Sequence, residues 1–189
     1  MDVLKVAVTG GIGSGKSFVC RLLEQRGLAI YDCDKAAKRL MASSSKIKLA
    51  LKNLIGENIY EGDTLRKSVI AEYLLKSDDN AKRLNRIIHP AVAEDFKQSG
   101  YTWMECAILF SSGFDKLVDK VVGVTAPLDV RVSRIMRRDN ISRDKALEWI
   151  SRQMPQDEVV RLCDYVIAND GTHDLAGQIE PILTSLNYR

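Results

Sequence analysis

Eight residues near the start of the chain constrain its fold more than any others. Gly10-Gly11-Ile12-Gly13-Ser14-Gly15-Lys16-Ser17 satisfies G-x-x-x-x-G-K-[ST] at every fixed position. Glycines at this spacing let the backbone curl into a nest of inward-facing N–H groups that suits an anion. The flanking sequence has the form the pattern requires. Leu4 to Thr9 is short, β-branched and closed by glycine, and reads as a buried strand. Behind Lys16, the apolar residues Val19, Leu22 and Leu23 fall at helical spacing, and Gly27 supplies a stop. A helix that starts inside the motif presents its N-terminal N–H groups and positive dipole end to the same anion. A plain glycine-rich turn between strand and helix is the competing reading, and the agreement of pattern with context favours a phosphate-binding loop.

The rest of the chain continues an α/β pattern. Strands are expected at 28–31, 101–106, 120–125 and 165–168, which with the first gives a five-stranded parallel sheet in a three-layer P-loop fold. Residues 35–98 are helical in pattern, with one turn signal at Glu61-Gly62-Asp63. That is far more chain than one crossover helix needs. The expected organisation is a single P-loop domain. Its nucleotide-binding core is 1–34, 101–128 and 156–189, its helical substrate-binding insertion is 35–100 and its helical lid is 129–155. Within the lid, Asp129 to Asn140 reads as a basic helix, and Ser142 as the N-cap of a helix running to about Met154.

Composition narrows the class. A length of 189 residues with 46% hydrophobic and 28% charged residues describes an ordinary globular chain. A net charge of +3, with no basic–aromatic motif, argues against a nucleic-acid partner. Cys20, Cys33, Cys106 and Cys163 are scattered, which suggests neither a zinc site nor a disulfide framework. No leader and no apolar run of membrane-spanning length is legible, so a cytoplasmic protein without a membrane partner is expected. Its oligomeric state is expected to be a monomer or a weak homo-oligomer.

The loop implies ATP with Mg²⁺. Lys16 would reach the β- and γ-phosphates, Ser17 would ligate the metal, and backbone N–H groups from Gly11 through Phe18 would hold phosphate oxygens. No Asn-Lys-x-Asp guanine motif follows a late strand, and the chain is short for a large ATPase. Both points favour a small-molecule kinase. Asp32 and Asp34 follow the second strand, at the sheet edge that also carries the loop. A carboxylate there can accept the proton of an attacking hydroxyl. For Asp34, a helix N-cap before Lys35 is an equal reading. Arg131, Arg134 and Arg138 lie at i, i+3 and i+7, on one helical face that could clamp phosphates. Taken singly, each arginine reads better as part of a solvated basic face.

Together these segments resemble the dephospho-coenzyme A kinase family over almost the whole chain. Thr9 to Ser17 resembles that family's loop, and Asp32-Cys33-Asp34-Lys35-Ala36-Ala37 resembles its Asp-Ala-Asp segment. The resemblance implies that Asp32 is the catalytic base, beside Lys16 and Arg138. Leu84-Asn85-Arg86-Ile87-Ile88-His89-Pro90 resembles the family's Leu-x-x-x-x-His-Pro signature. This implies a substrate-side role for Arg86 and His89 with Asp32 and Asp34, although His89 alone reads as a structural helix-end histidine. Arg134 to Asp139 resembles the lid arm, with Arg134 and Arg138 on ATP. Asp164 to Gly171 resembles the segment bordering adenine, which makes Asn169 a base contact. The implied acceptor is dephospho-coenzyme A. Another metabolite or nucleoside monophosphate kinase is the nearest alternative, and a non-catalytic nucleotide sensor is a more distant one. Three positions depart from the family pattern. Phe18 stands where Thr is common, and Cys33 where Ala is usual. Ser111 stands where an acidic residue often follows Phe110, a loss for which Glu105 could compensate.

Overall fold

Every residue of β1 (Val6–Thr9) is buried, which marks a strand covered on both faces, as central strands of parallel sheets are. The computed structural model describes residues 4–188, apart from the side chain of Asp78. Its contacts divide the chain into two units, residues 32–100 and the remainder.

The larger unit is built on a parallel sheet. After β1 come α1 (Lys16–Glu24) and β2 (Ile30–Asp32). Further along the chain lie β5 (Trp103–Glu105), β6 (Lys120–Thr125) and β7 (Tyr165–Ala168), with β3 (Tyr60–Glu61) and β4 (Thr64–Leu65) falling in the smaller unit. The strand order is β2-β5-β1-β6-β7. β1 is therefore central, and its Val6 and Val8 enter a core with Val19, Leu23, Trp103, Val122, Ile167 and Ile179. The last strand is followed by α10 (Leu175–Ser185), capped by Asp174, whose carboxylate accepts from the Ala176 and Gly177 amides. α7 (Leu128–Asp139) and α8 (Arg143–Ser151) pack through Val132, Ile135 and Ala146. Asn140 ends α7 in the left-handed region at φ 52°, a conformation Asn tolerates, and Ser142 caps α8 by accepting from the Lys145 amide. α8 stops at Ser151 rather than near Met154, because Pro155 and the turn before it open a further short helix, α9 (Gln156–Arg161).

The smaller unit is α2 (Cys33–Ser43), α3 (Ser45–Ile55), the hairpin β3 (Tyr60–Glu61) and β4 (Thr64–Leu65), α4 (Lys67–Leu75) and α5 (Asp78–Gln98). The turn expected at Glu61-Gly62-Asp63 is the hairpin turn, with Glu61 paired to Thr64. Ser44 closes α2 through its amide and caps α3 with its hydroxyl, so one residue turns the corner. Ile88, Val92 and Phe96 are buried at i, i+4 and i+8 along α5. His89 was expected at a helix end, but it lies in the interior of α5, as does Pro90. Packing of the buried stripe carries the helix through the proline, where propensity alone would stop it.

Candidate active site

The loop between β1 and α1 is shaped by neighbours that approach its backbone too closely for side chains. Gly13 has φ 80°, and a Cβ there would lie 2.7 Å from the Arg131 carbonyl oxygen. Gly15 has φ 87°, and a Cβ there would meet Asn169 Nδ2 at 2.1 Å. Gly15 is also the N-cap of α1, with no side chain capping the helix. That end of α1 is thus left to an anion. The Phe18 amide, expected among the groups that hold phosphate oxygens, closes onto the Gly15 carbonyl at 2.9 Å.

A second ring of residues holds the loop. Arg131 is buried, and its Nε donates to the Ile12 carbonyl at 2.9 Å. Burial pushes its pKa down from the ordinary arginine value, yet a guanidinium remains charged near neutrality. Arg134 Nη1 donates to the Asn169 carbonyl at 2.9 Å and to the Gly13 and Ser14 carbonyls at 3.3 Å. Asn169 Nδ2 donates to the Ser14 carbonyl at 3.0 Å. The Asn169 side chain is therefore engaged with the loop itself. Ile12 donates its amide to Gln153 Oε1 at 2.7 Å. These bonds tie the carbonyls of Ile12, Gly13 and Ser14 to cations and an amide outside the loop.

Inside this ring, Lys16 Nζ rests on the Gly11 carbonyl at 3.4 Å. The Ser14 hydroxyl is fully buried and has no hydrogen-bond partner among the described residues, as befits a group that lines a polar ligand's cradle. The Ser17 hydroxyl donates to Glu105 Oε1 at 3.1 Å. Glu105 ends β5, the strand next to β1, so the parallel register delivers a carboxylate to the loop's hydroxyl.

The remaining predicted residues make other contacts. Arg138 is exposed and pairs with the adjacent Asp139. Arg131, named only within the arginine series, is the one buried against the loop. Asp32, not Asp34, is the N-cap of α2; its Oδ1 accepts from the Lys35 amide at 2.8 Å, and Asp34 sits in the first turn. The cap falls two positions early because the helix begins immediately where β2 ends. Arg86 is exposed and His89 half-buried on α5, in the smaller unit. Burial lowers the His89 pKa below its ordinary value. Ser111 lies in the short helix α6 (Leu109–Ser112), its hydroxyl donating to the Ile108 carbonyl. Sequence reasoning missed Gln153, an uncharged residue outside any motif, which only the tertiary fold brings to Ile12.

A central parallel strand, a glycine loop leading into a helix with no side-chain cap, a lysine and a serine–carboxylate pair define a P-loop phosphotransferase of the small-kinase class. Among solved structures, a Thermus thermophilus protein is similar, with a TM-score of 0.83, 28% identity and 97% of each chain covered. The dephospho-CoA kinase family model matches residues 4–174, and the chain belongs to that family. A dephospho-CoA kinase of Bacteroides fragilis is 40% identical, over 97% of this chain and 93% of the relative. One from Porphyromonas gingivalis is 37% identical, over 99% and 96%.

Proposed function

We infer that the chain transfers the γ-phosphoryl group of ATP to the 3′-hydroxyl of dephospho-coenzyme A. Family membership over residues 4–174 carries the choice of acceptor. The loop geometry carries the chemistry. In this reading, the loop N–H groups and Lys16 hold the phosphates, and Lys16 leaves the Gly11 carbonyl to do so. Asp32 takes the proton of the attacking hydroxyl while its oxygen bonds to the γ-phosphorus and the bond to the β-phosphate oxygen breaks. Asp32 closes a strand of the parallel sheet, at the carboxyl edge where such sites lie. Residues 35–100, with Arg86, His89 and Asp34, would hold the acceptor. Residues 129–155 would form the lid, with Arg134 and Arg138 on the nucleotide. A cytoplasmic location goes with this role, and no helix among the described residues is long and apolar enough to cross a membrane.

The residues present fit Mg²⁺. Ser17 Oγ and Glu105 Oε1 are a hard-oxygen pair at 3.1 Å, and no group of three or more His, Cys, Asp or Glu among the described residues forms a metal cage. A magnesium ion usually takes one or two protein oxygens and completes its shell with phosphate and water. Bound there, it would neutralise phosphate charge. Glu105 thereby supplies an acid close to the loop, in a chain that has Ser at position 111.

The test is ADP release from ATP·Mg²⁺ with dephospho-coenzyme A, AMP, UMP, shikimate or pantothenate as acceptor. Turnover with dephospho-coenzyme A alone is expected. Turnover with a different acceptor would overturn the substrate, and binding of ATP without turnover of any acceptor would overturn the kinase reading.

A further inference from the structure

We propose that Gln153 is a catalytic residue whose side-chain NH₂ group donates to the phosphoryl group in transfer. Three observations carry this inference. First, the amide is oriented. The Ile12 N–H needs an acceptor, and Gln153 Oε1 supplies it at 2.7 Å, which fixes which end of the amide is oxygen. Second, the other end is left over. Gln153 Nε2 donates to no described residue, although the side chain is half-buried. Third, the residue stands where a phosphoryl group would be in play. Gln153 lines a cavity of about 120 Å³ together with Thr9, Gly10 and Gly11, the start of the phosphate loop. The neighbouring Arg152 also lines this cavity, and its guanidinium is paired with Glu148 of its own helix. The backbone of Gln153 is itself held, its amide donating to the Ile150 carbonyl at 3.1 Å.

A residue needed only to brace the loop would use the oxygen and have no call for the NH₂ group. Here the oxygen braces Ile12, which leaves a neutral donor pair on a side chain that lines the cavity. Such a donor, held in place before reaction and partly shielded from water, stabilises charge that shifts within the phosphoryl group. The inference rests on the phosphotransferase reading above.

Gln153→Glu separates the two roles. It keeps an oxygen for the Ile12 amide and removes the donor, and Gln153→Ala removes both. ADP affinity, melting temperature and turnover are measured for each, the last with dephospho-coenzyme A and also as slow γ-phosphoryl transfer to water. For Gln153→Glu, ADP affinity within about threefold of wild type and turnover lowered about 10²-fold in both reactions are expected. Gln153→Ala should lose at least as much turnover. Turnover of Gln153→Glu within about threefold of wild type would overturn the proposal and leave Gln153 a brace. So would loss of ADP binding in step with turnover. If wild type ignores dephospho-coenzyme A, the acceptor reading fails by itself, and the hydrolysis ratio still decides the role of Gln153.

Discussion

Asp32 shows how one residue serves two ends. Its Oδ1 caps α2 through the Lys35 amide, and its position at the end of β2 suits a catalytic base. Substituting alanine would mix the two effects, since loss of a cap costs about 1 kcal/mol. Asparagine caps about as well as aspartate but cannot take a proton. Asp32→Asn is therefore expected to keep the wild-type melting temperature and lower kcat by about 10²–10⁴-fold, with nucleotide affinity little changed. Unchanged turnover would remove Asp32 from the mechanism. The arginines divide in a related way. Arg131 is buried on the Ile12 carbonyl while Arg138 is exposed beside Asp139, although the two share a helical face in sequence. Helical spacing assigns a face, and burial decides which members of it carry the structure.

At the scale of elements, α5 is the instructive case. It runs 21 residues through Pro90, which has no N–H to offer the Arg86 carbonyl four residues earlier. Ile88, Val92 and Phe96 hold the helix together across that point. Proline in a helix interior costs roughly 3 kcal/mol relative to alanine, so Pro90→Ala is expected to stabilise the protein by about 1–3 kcal/mol. Denaturant titration of both proteins measures this, and a lower midpoint in the variant would mean that packing depends on the proline ring. The short elements were harder to foresee. β3 and β4 are two residues each, and their pattern carried only a turn signal. β2 begins at Ile30 rather than Leu28, because Gly27 and the amide of Leu28 finish the turn after α1, the latter bonding the Leu23 carbonyl.

Across the whole molecule, ionisation links the fold to pH. Burial lowers the His89 pKa from its ordinary 6.5. As pH falls through 6.5, the unfolded chain takes up a proton that the folded chain still resists, so the unfolded state binds more protons and stability drops. The drop ends once pH is below the folded value. Urea midpoints at pH 7.5 and 5.5 should therefore differ more for wild type than for His89→Gln. Equal losses in the two proteins would show that His89 has no share in the acid sensitivity. Cys163 behaves in the opposite sense. Burial, with the Asp164 charge beside it, pushes its thiol up to about 11, so it stays protonated and unreactive near neutrality.

Five parallel strands, the phosphate loop, the predominantly helical character of 35–98 and the family are legible in the residues alone, because these rest on local periodicity, on glycine conformations and on a motif with a fixed mechanism. Which side chains meet the loop depends on how the elements pack. Gln153 reaches Ile12 across 141 residues, Asn169 reaches Ser14 across 155, and Glu105 reaches Ser17 across 88. Such contacts leave no periodic trace, since each is fixed by the register of one strand or the packing of one helix on another. The same holds for the choice of Asp32 over Asp34 as the cap and of Arg131 over Arg138 as the buried arginine. In both pairs the residue types are identical, and only the place where a helix starts, or the side of it that is covered, tells the two apart.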